Sequence, residues 1–332
     1  MAEDTTHEVL IVGAGFAGIA TAMQLARDGV RVLLIDKNNY HQFQPLLYQV
    51  ATAQISVSDV ARPLRGIFRK DKCVQVKTAE VESVDAANRT VTTADGSTYR
   101  GQILVLCAGA EANFFDTPGA KEHAYPLYSV DDAAKLASRM LGALDSADSV
   151  PHQVGEGGLD VVVVGGGPTG VETAGALAES VKYVVSEYFS PEFADACTVY
   201  LVDMIPKVLA PFTEKSQTYA HKRLTEIGVQ VRLGTGVSEV TKDGVTLADG
   251  TRIPSRVVVW AGGLKAGKML ATSGLPQGKG GRIDVSPDLT APGFDGVYVL
   301  GDAANITDAK GRHLPQLGSV AQQSGKWAAR NI

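Results

Sequence analysis

No two of the three cysteines in this 332-residue chain lie near each other. Cys73, Cys107 and Cys197 form no C-x-x-C or longer paired motif, which excludes a zinc knuckle and a redox dithiol built from neighbouring residues. Free thiols of this kind belong to a reducing compartment. The histidines, His7, His41, His123, His152, His221 and His313, are equally scattered, and without clustered carboxylates or cysteines no metal site is expected. No run approaches the roughly 18 apolar residues of a membrane span, and the polar start, Ala2 to Glu8, carries no apolar signal segment. A cytoplasmic location is expected. No basic stripe appears, and a net charge of −5 argues against a nucleic-acid partner. With 45% hydrophobic and 20% charged residues over a length that exceeds one core, the composition describes an ordinary folded protein of two domains.

Glycine is plentiful, and two of its clusters have the same spacing: Gly13-Ala14-Gly15-Phe16-Ala17-Gly18 and Gly165-Gly166-Gly167-Pro168-Thr169-Gly170. Among 36 glycines such a spacing means little by itself, so the flanking residues decide. The first loop follows the apolar run Val9–Val12, opens a helical stretch from Ile19 to Arg27, and leads to a strand, Arg31–Ile35, closed by Asp36. That is the βαβ frame of a dinucleotide fingerprint. Gly13 permits the tight turn, Gly15 lets backbone approach a pyrophosphate, Gly18 lets helix and strand pack closely, and the helix N-terminus faces the negative charge. The second loop repeats this order, with a strand Leu159–Val164, a helix from Val171, and a strand Thr198–Val202 ending at Asp203. A carboxylate at Asp203 would accept a ribose 2′-hydroxyl and repel a 2′-phosphate, favouring NADH over NADPH.

The remaining segments repeat as well. Residues 74–103 read as short strands with turns at Ala87-Asn88 and Asp95-Gly96, and 237–253 read as a hairpin with turns at Asp243-Gly244 and Asp249-Gly250. Each is followed by an apolar strand and a small-residue turn, Cys107-Ala108-Gly109 and Ala261-Gly262-Gly263. Weak internal duplication of this kind suits two related nucleotide domains. Residues 141–158, poor in pattern and holding Pro151, Gly155, Gly157 and Gly158, read as a loop. Leu177, Val181, Val184, Val185 and Tyr188 lie at helical spacing and read as a core stripe. Near the end, Val297–Leu300 runs into Gly301-Asp302. If that strand returns to the first domain, Asp302 can reach a flavin's ribityl or pyrophosphate end; otherwise it caps the following helix.

Together with Gly165–Glu172 and Gly301-Asp302-Ala303, the stretches Phe43-Gln44-Pro45-Leu46-Leu47-Tyr48-Gln49-Val50-Ala51-Thr52 and Gly109 through Asn113-Phe114-Phe115-Asp116-Thr117-Pro118-Gly119 resemble a known family. It is that of the type II NADH dehydrogenases, the single-polypeptide NADH:quinone oxidoreductases of the two-dinucleotide-binding-domain flavoproteins. The resemblance implies an α/β fold with two Rossmann-like domains, each having a parallel sheet and a small antiparallel excursion. An NADH domain, residues 121–268, is then inserted into a FAD domain formed by residues 1–120 and 269–332. Gly13, Gly15, Gly18, Asp36, Gly109 and Asp302 correspond to positions around a non-covalent FAD, and Gly165, Gly167, Gly170 and Asp203 to NADH positions. Glu172 matches a glutamate close to the nicotinamide and flavin, although a carboxylate in the first turn of a helix also suits the macrodipole. The quinone motif A-Q-x-A-x-Q aligns with Gly318-Ser319-Val320-Ala321-Gln322-Gln323, so Gln323 matches and Ser319 replaces a glutamine. Gln44, Pro45 and Tyr48 are further candidates for lining the acceptor.

The activity implied is hydride transfer from NADH to FAD and two-electron transfer to a quinone, menaquinone or ubiquinone, without proton pumping. The family continues past Ile332 into amphipathic helices, so a truncated C-terminus is expected here, with peripheral attachment to the cytoplasmic face of the inner membrane only in a longer form, and a homodimer left open. Two other readings stand beside it: a soluble NADH oxidase or diaphorase using oxygen or a protein acceptor, and a FAD- and NADH-binding redox sensor. Disulfide reductases share the two-loop plan but need a cysteine pair that this chain lacks.

Overall fold

Runs of buried valine, leucine and isoleucine build two parallel sheets, each sealed on both faces as such sheets must be. The computed structural model describes residues 6–149, 159–189 and 191–332. It divides into two compact units, Met1–Gln42 with Ala61–Glu111 and Leu264–Ile332, and Phe43–Val60 with Ala112–Gly263.

In the first unit the parallel strands run in the order Val74–Thr78, Val32–Asp36, Thr6–Val12, Thr98–Leu106, Val297–Val299. The late strand does return, pairing Val297 with Leu104 and Val299 with Leu106. The antiparallel excursion is Val81–Asp85 and Thr90–Thr93, the latter paired to the start of Thr98–Leu106. Two apolar clusters fill the faces, one around Ile11, Leu34 and Val105 under the helix Phe16–Arg27, the other around Leu10, Leu33 and Leu104. The helix Gly318–Asn331 packs on Phe16–Arg27, where Thr21 Oγ1 donates to the carbonyl of Gly325 at 3.2 Å.

The second unit repeats the plan. Its parallel order is Ala124–Pro126, Val257–Trp260, Val161–Val164, Val199–Asp203, Gln230–Leu233, and its excursion is three-stranded: Val237–Thr241, Gly244–Leu247, Arg252–Pro254. In both units the glycine loop leaves the strand beside which the strand order reverses, where open sheets of this type take ligands.

Three expectations need correction. Residues 43–60 fall within the stretch 1–120 of the sequence division, but they pack in the second unit, where Leu47, Val50 and Ala51 of the helix Leu47–Ala51 are buried against helices Val130–Ser149 and Pro168–Ser180. The unit boundaries fall after Glu111 and Gly263. Residues 141–149 are helical, the continuation of Val130–Ser149, whose start is held by a reciprocal pair: Ser129 N–H to Asp132 Oδ2 at 2.9 Å and Asp132 N–H to Ser129 Oγ at 3.1 Å. Residues 150–158 of the expected loop lie outside the described residues. The stripe along Leu177–Tyr188 is only half core: Leu177 and Val185 are buried, whereas Val184 is 49% and Tyr188 76% exposed. A π-helical turn over Val181–Val185 inserts into the helix and rotates the residues after it off the expected face.

Candidate functional site

Each glycine loop forms a cradle at a helix N-terminus. The helices Phe16–Arg27 and Pro168–Ser180 begin after Gly15 and Gly167, and neither has a side-chain cap, so their first N–H groups remain available. Around Gly15 and Gly167 there is open space, with nothing within 4 Å of where a Cβ would stand. Gly18 and Gly170 are opposite cases: a Cβ would meet the carbonyl oxygen of Gly13 at 1.9 Å and of Gly165 at 1.8 Å. Only glycine lets the helix close onto its loop there.

The acids ending the second strands latch these loops. Asp36 accepts the N–H of Ala14 on Oδ2 at 2.6 Å and of Asn38 on Oδ1 at 2.7 Å. Asp203 accepts the N–H groups of Gly166 on Oδ2 and of Ile205 on Oδ1, the latter at 2.7 Å. Each carboxylate oxygen keeps a further lone pair for a ribose hydroxyl. Burial outweighs the two donors at Asp36 and raises its pKa above the ordinary 3.8. The carbonyls of these loops are held too: Ala14 O lies 3.0 Å from His41 Nδ1, and Gly166 O accepts the N–H of Leu209 at 2.7 Å. Neither His41 nor Leu209 carries a motif that points to this role.

In the first unit, Gly109 follows the strand Thr98–Leu106 with φ +68°, and Asp302 sits in the tight turn Gly301–Ala303. Arg282 Nη1 donates to the Ala304 carbonyl at 3.4 Å, and the charges of Asp302 and Asp284 favour its charged form. Gln316 Nε2 donates to the Asp302 carbonyl at 3.2 Å, and Ser324 Oγ accepts the Gly301 N–H at 3.1 Å, so the turn is tied to the helix carrying Ser319 and Gln323. Those two stand one turn apart on its exposed side, Gln323 Nε2 donating to the Ser319 carbonyl at 3.1 Å.

In the second unit a cleft of about 640 Å³ lies between helices Pro168–Ser180 and Glu214–Glu226, with Tyr48, Gln49 and Gln54 contributing to its lining. Glu172 and Glu179 stand on one wall and Lys215 and Arg223 on the other. Glu172 is the fifth residue of its helix, beyond the first turn, so the macrodipole has little hold on it. Partial withdrawal from water raises its pKa above the ordinary 4.5. Burial, reinforced by Glu172 and Glu179, raises that of the Tyr48 phenol. Gln44 donates to the Tyr128 carbonyl at 3.3 Å, and Pro45 is exposed in the short turn Gln44–Leu46. Glu179 was legible only as a carboxylate two helical turns from Glu172, a spacing common on solvated helix faces.

All three cysteines are free, and the burial of Cys107 pushes its thiol pKa far up. No helix among the described residues is long and apolar enough to cross a membrane.

A family model described as pyridine nucleotide-disulphide oxidoreductase matches residues 7–325. The type II NADH:quinone oxidoreductase Ndh of Mycobacterium tuberculosis is 37% identical, over 98% of this chain and 72% of its own. From the same organism, the type II NADH:quinone oxidoreductase NdhA is 38% identical over 92% of this chain and 68% of its own. Among solved structures, NDH2 from Plasmodium falciparum in complex with NADH superposes with a TM-score of 0.90 at 18% identity, covering 98% of this chain and 83% of that one, which is a likeness of fold.

Proposed function

Since the chain belongs to the type II NADH:quinone oxidoreductases, within the pyridine nucleotide-disulphide oxidoreductases, we propose that it oxidises NADH through FAD and delivers two electrons to a membrane quinone without pumping protons. The observation that carries this reading is the duplicated cradle: two glycine loops, two uncapped helix starts and two carboxylate latches of the same geometry in one chain. When bound, FAD would supply hydride-accepting, two-electron chemistry that this chain's three unpaired cysteines do not offer.

The protein's share is to bind, orient and handle protons. In our assignment Gly13, Gly15, Gly18, Asp36, Gly109 and Asp302 hold FAD, the open space at Gly15 suiting a pyrophosphate. Gly165, Gly167, Gly170 and Asp203 hold NADH, and the Asp203 carboxylate selects against a 2′-phosphate. Glu172, whose raised pKa keeps a proton available nearer neutrality, orients the nicotinamide or holds a proton at its carboxyl. Ser319 and Gln323 serve the quinone, with Gln44 and Pro45 as further lining. Tyr48 shares the Glu172 cleft, which favours a part in proton handling over contact with quinone. In this reading the acceptor is menaquinone or ubiquinone, and attachment to the cytoplasmic face of the inner membrane belongs to a form of the chain with a longer C-terminus.

Anaerobic stopped-flow absorbance tests this directly, mixing the flavin-loaded protein with NADH and then with a short-chain quinone. Rapid bleaching of the flavin bands followed by rapid quinone-dependent recovery is expected. Bleaching that only oxygen reverses would replace the quinone by another acceptor.

A further inference from the structure

Peptide planarity turns the hydrogen bonds on the loop carbonyls into a statement about the neighbouring donors. The C=O of Ala14 and the N–H of Gly15 lie in one plane and point opposite ways, so whatever holds that carbonyl also sets the direction of that N–H. The same holds for Gly166 and Gly167. These are the peptides that enter the second glycine of each loop, a residue with no side chain to resist rotation about its φ.

In the second cradle the hold is backbone: Leu209 donates its N–H to Gly166 O at 2.7 Å, from a left-handed conformation with φ +51°. In the first it is a side chain. His41 Nδ1 lies 3.0 Å from Ala14 O, and since a carbonyl oxygen can only accept, Nδ1 carries the proton in this contact. The ring is placed from two sides. It stands edge-on to Phe16, centroids 5.1 Å apart at 85°, and its backbone is paired with Arg62 in the two-stranded ribbon Tyr40–Gln42 and Ala61–Pro63. Ala14 is thus held at both ends, by Asp36 on its N–H and by His41 on its carbonyl.

We propose that His41 is a positioning residue for the flavin: through the Ala14 carbonyl it fixes the Gly15 N–H at a helix start, where a pyrophosphate is bound. This rests on the first cradle being the FAD site. It makes flavin retention depend on one side-chain donor, a dependence the NADH cradle does not share.

The test is the rate at which flavin fluorescence appears when the flavin-loaded protein is diluted, compared for wild type, His41→Phe and His41→Asn. Phe keeps a ring against Phe16 but has no donor, whereas the Asn amide puts an N–H near the position of Nδ1. Loss of one hydrogen bond should speed release by about tenfold in His41→Phe, with His41→Asn within about threefold of wild type. NADH affinity should be equal in all three. Wild-type retention in His41→Phe, or an Asn variant as leaky as Phe, overturns the inference. A wild-type chain that takes up no flavin overturns the assignment of the cradle itself. Should His41→Phe fail to fold, His41→Ala gives a second reading: added imidazole should slow release, and N-methylimidazole, which has no N–H, should not. Equal effects of the two would also overturn the inference.

Discussion

At Glu172 a carboxyl that sheds its proton later than a free glutamate stands in a cleft with a tyrosine and a second carboxylate. Glu172→Gln keeps the shape and removes the charge. Flavin reduction by NADH in that variant should slow by about a hundredfold, the lower range for loss of a group handling a proton, while flavin content stays at wild type; unchanged rates in both half-reactions would remove Glu172 from the mechanism. The same carboxyl links stability to pH. Its folded pKa lies above 4.5, so between that value and the raised one the folded state binds the extra proton, and this contribution to stability falls as pH rises through the window. Urea midpoints should therefore drop less steeply with pH in Glu172→Gln than in wild type. At Gly170 the physics is steric. A methyl group 1.8 Å from the Gly165 carbonyl forces the loop open, so Gly170→Ala should weaken NADH binding at least tenfold, by fluorescence titration, and leave flavin retention intact. Residues such as Gly170 were legible because a spacing of glycines after an apolar strand has one common physical purpose. His41 was not: its partner is the carbonyl of an alanine, and a backbone acceptor leaves no trace in the sequence.

Among the elements, the βαβ frames were legible almost to their ends, since strands such as Val161–Val164 and Val257–Trp260 are buried throughout and read as unbroken apolar runs. The helix Val130–Ser149 extends into residues that read as a loop. Gly142, Asp145 and Ser146 are poor helix formers, and what carries the helix past them is the burial of Ala133, Leu136 and Ala143. An alanine at 142 would meet nothing within 4 Å, so Gly142→Ala should stabilise the protein by about 0.5–1 kcal/mol, seen as a higher urea midpoint at unchanged slope. A fall would mean that the helix needs glycine there for a reason other than propensity. The stripe ending at Tyr188 failed for a different reason: periodicity assumes a constant turn, and the π-helical turn over Val181–Val185 breaks it.

Over the whole molecule the duplication was legible, but the assignment of residues 43–60 was not, because it depends on a helix of five residues, Leu47–Ala51, whose buried side chains meet helices far along the chain. A fragment of residues 112–263 lacks that helix and should aggregate or melt at markedly lower temperature than one in which residues 43–60 are joined to it by a flexible linker; equal melting of the two would mean that the segment is dispensable for the second unit.

The strand Val297–Val299 completes the first unit's parallel sheet on the edge of Thr98–Leu106, and every residue of the second unit is translated before it. On the ribosome the first unit to begin is therefore the last to finish. Until residues 297–299 have left the ribosome, the first unit is a sheet whose Leu104–Leu106 edge is unpaired and apolar, the kind of edge that recruits chaperones or neighbouring chains. Slower synthesis of residues 264–299 would then lengthen the exposure of that edge and lower the yield of folded protein.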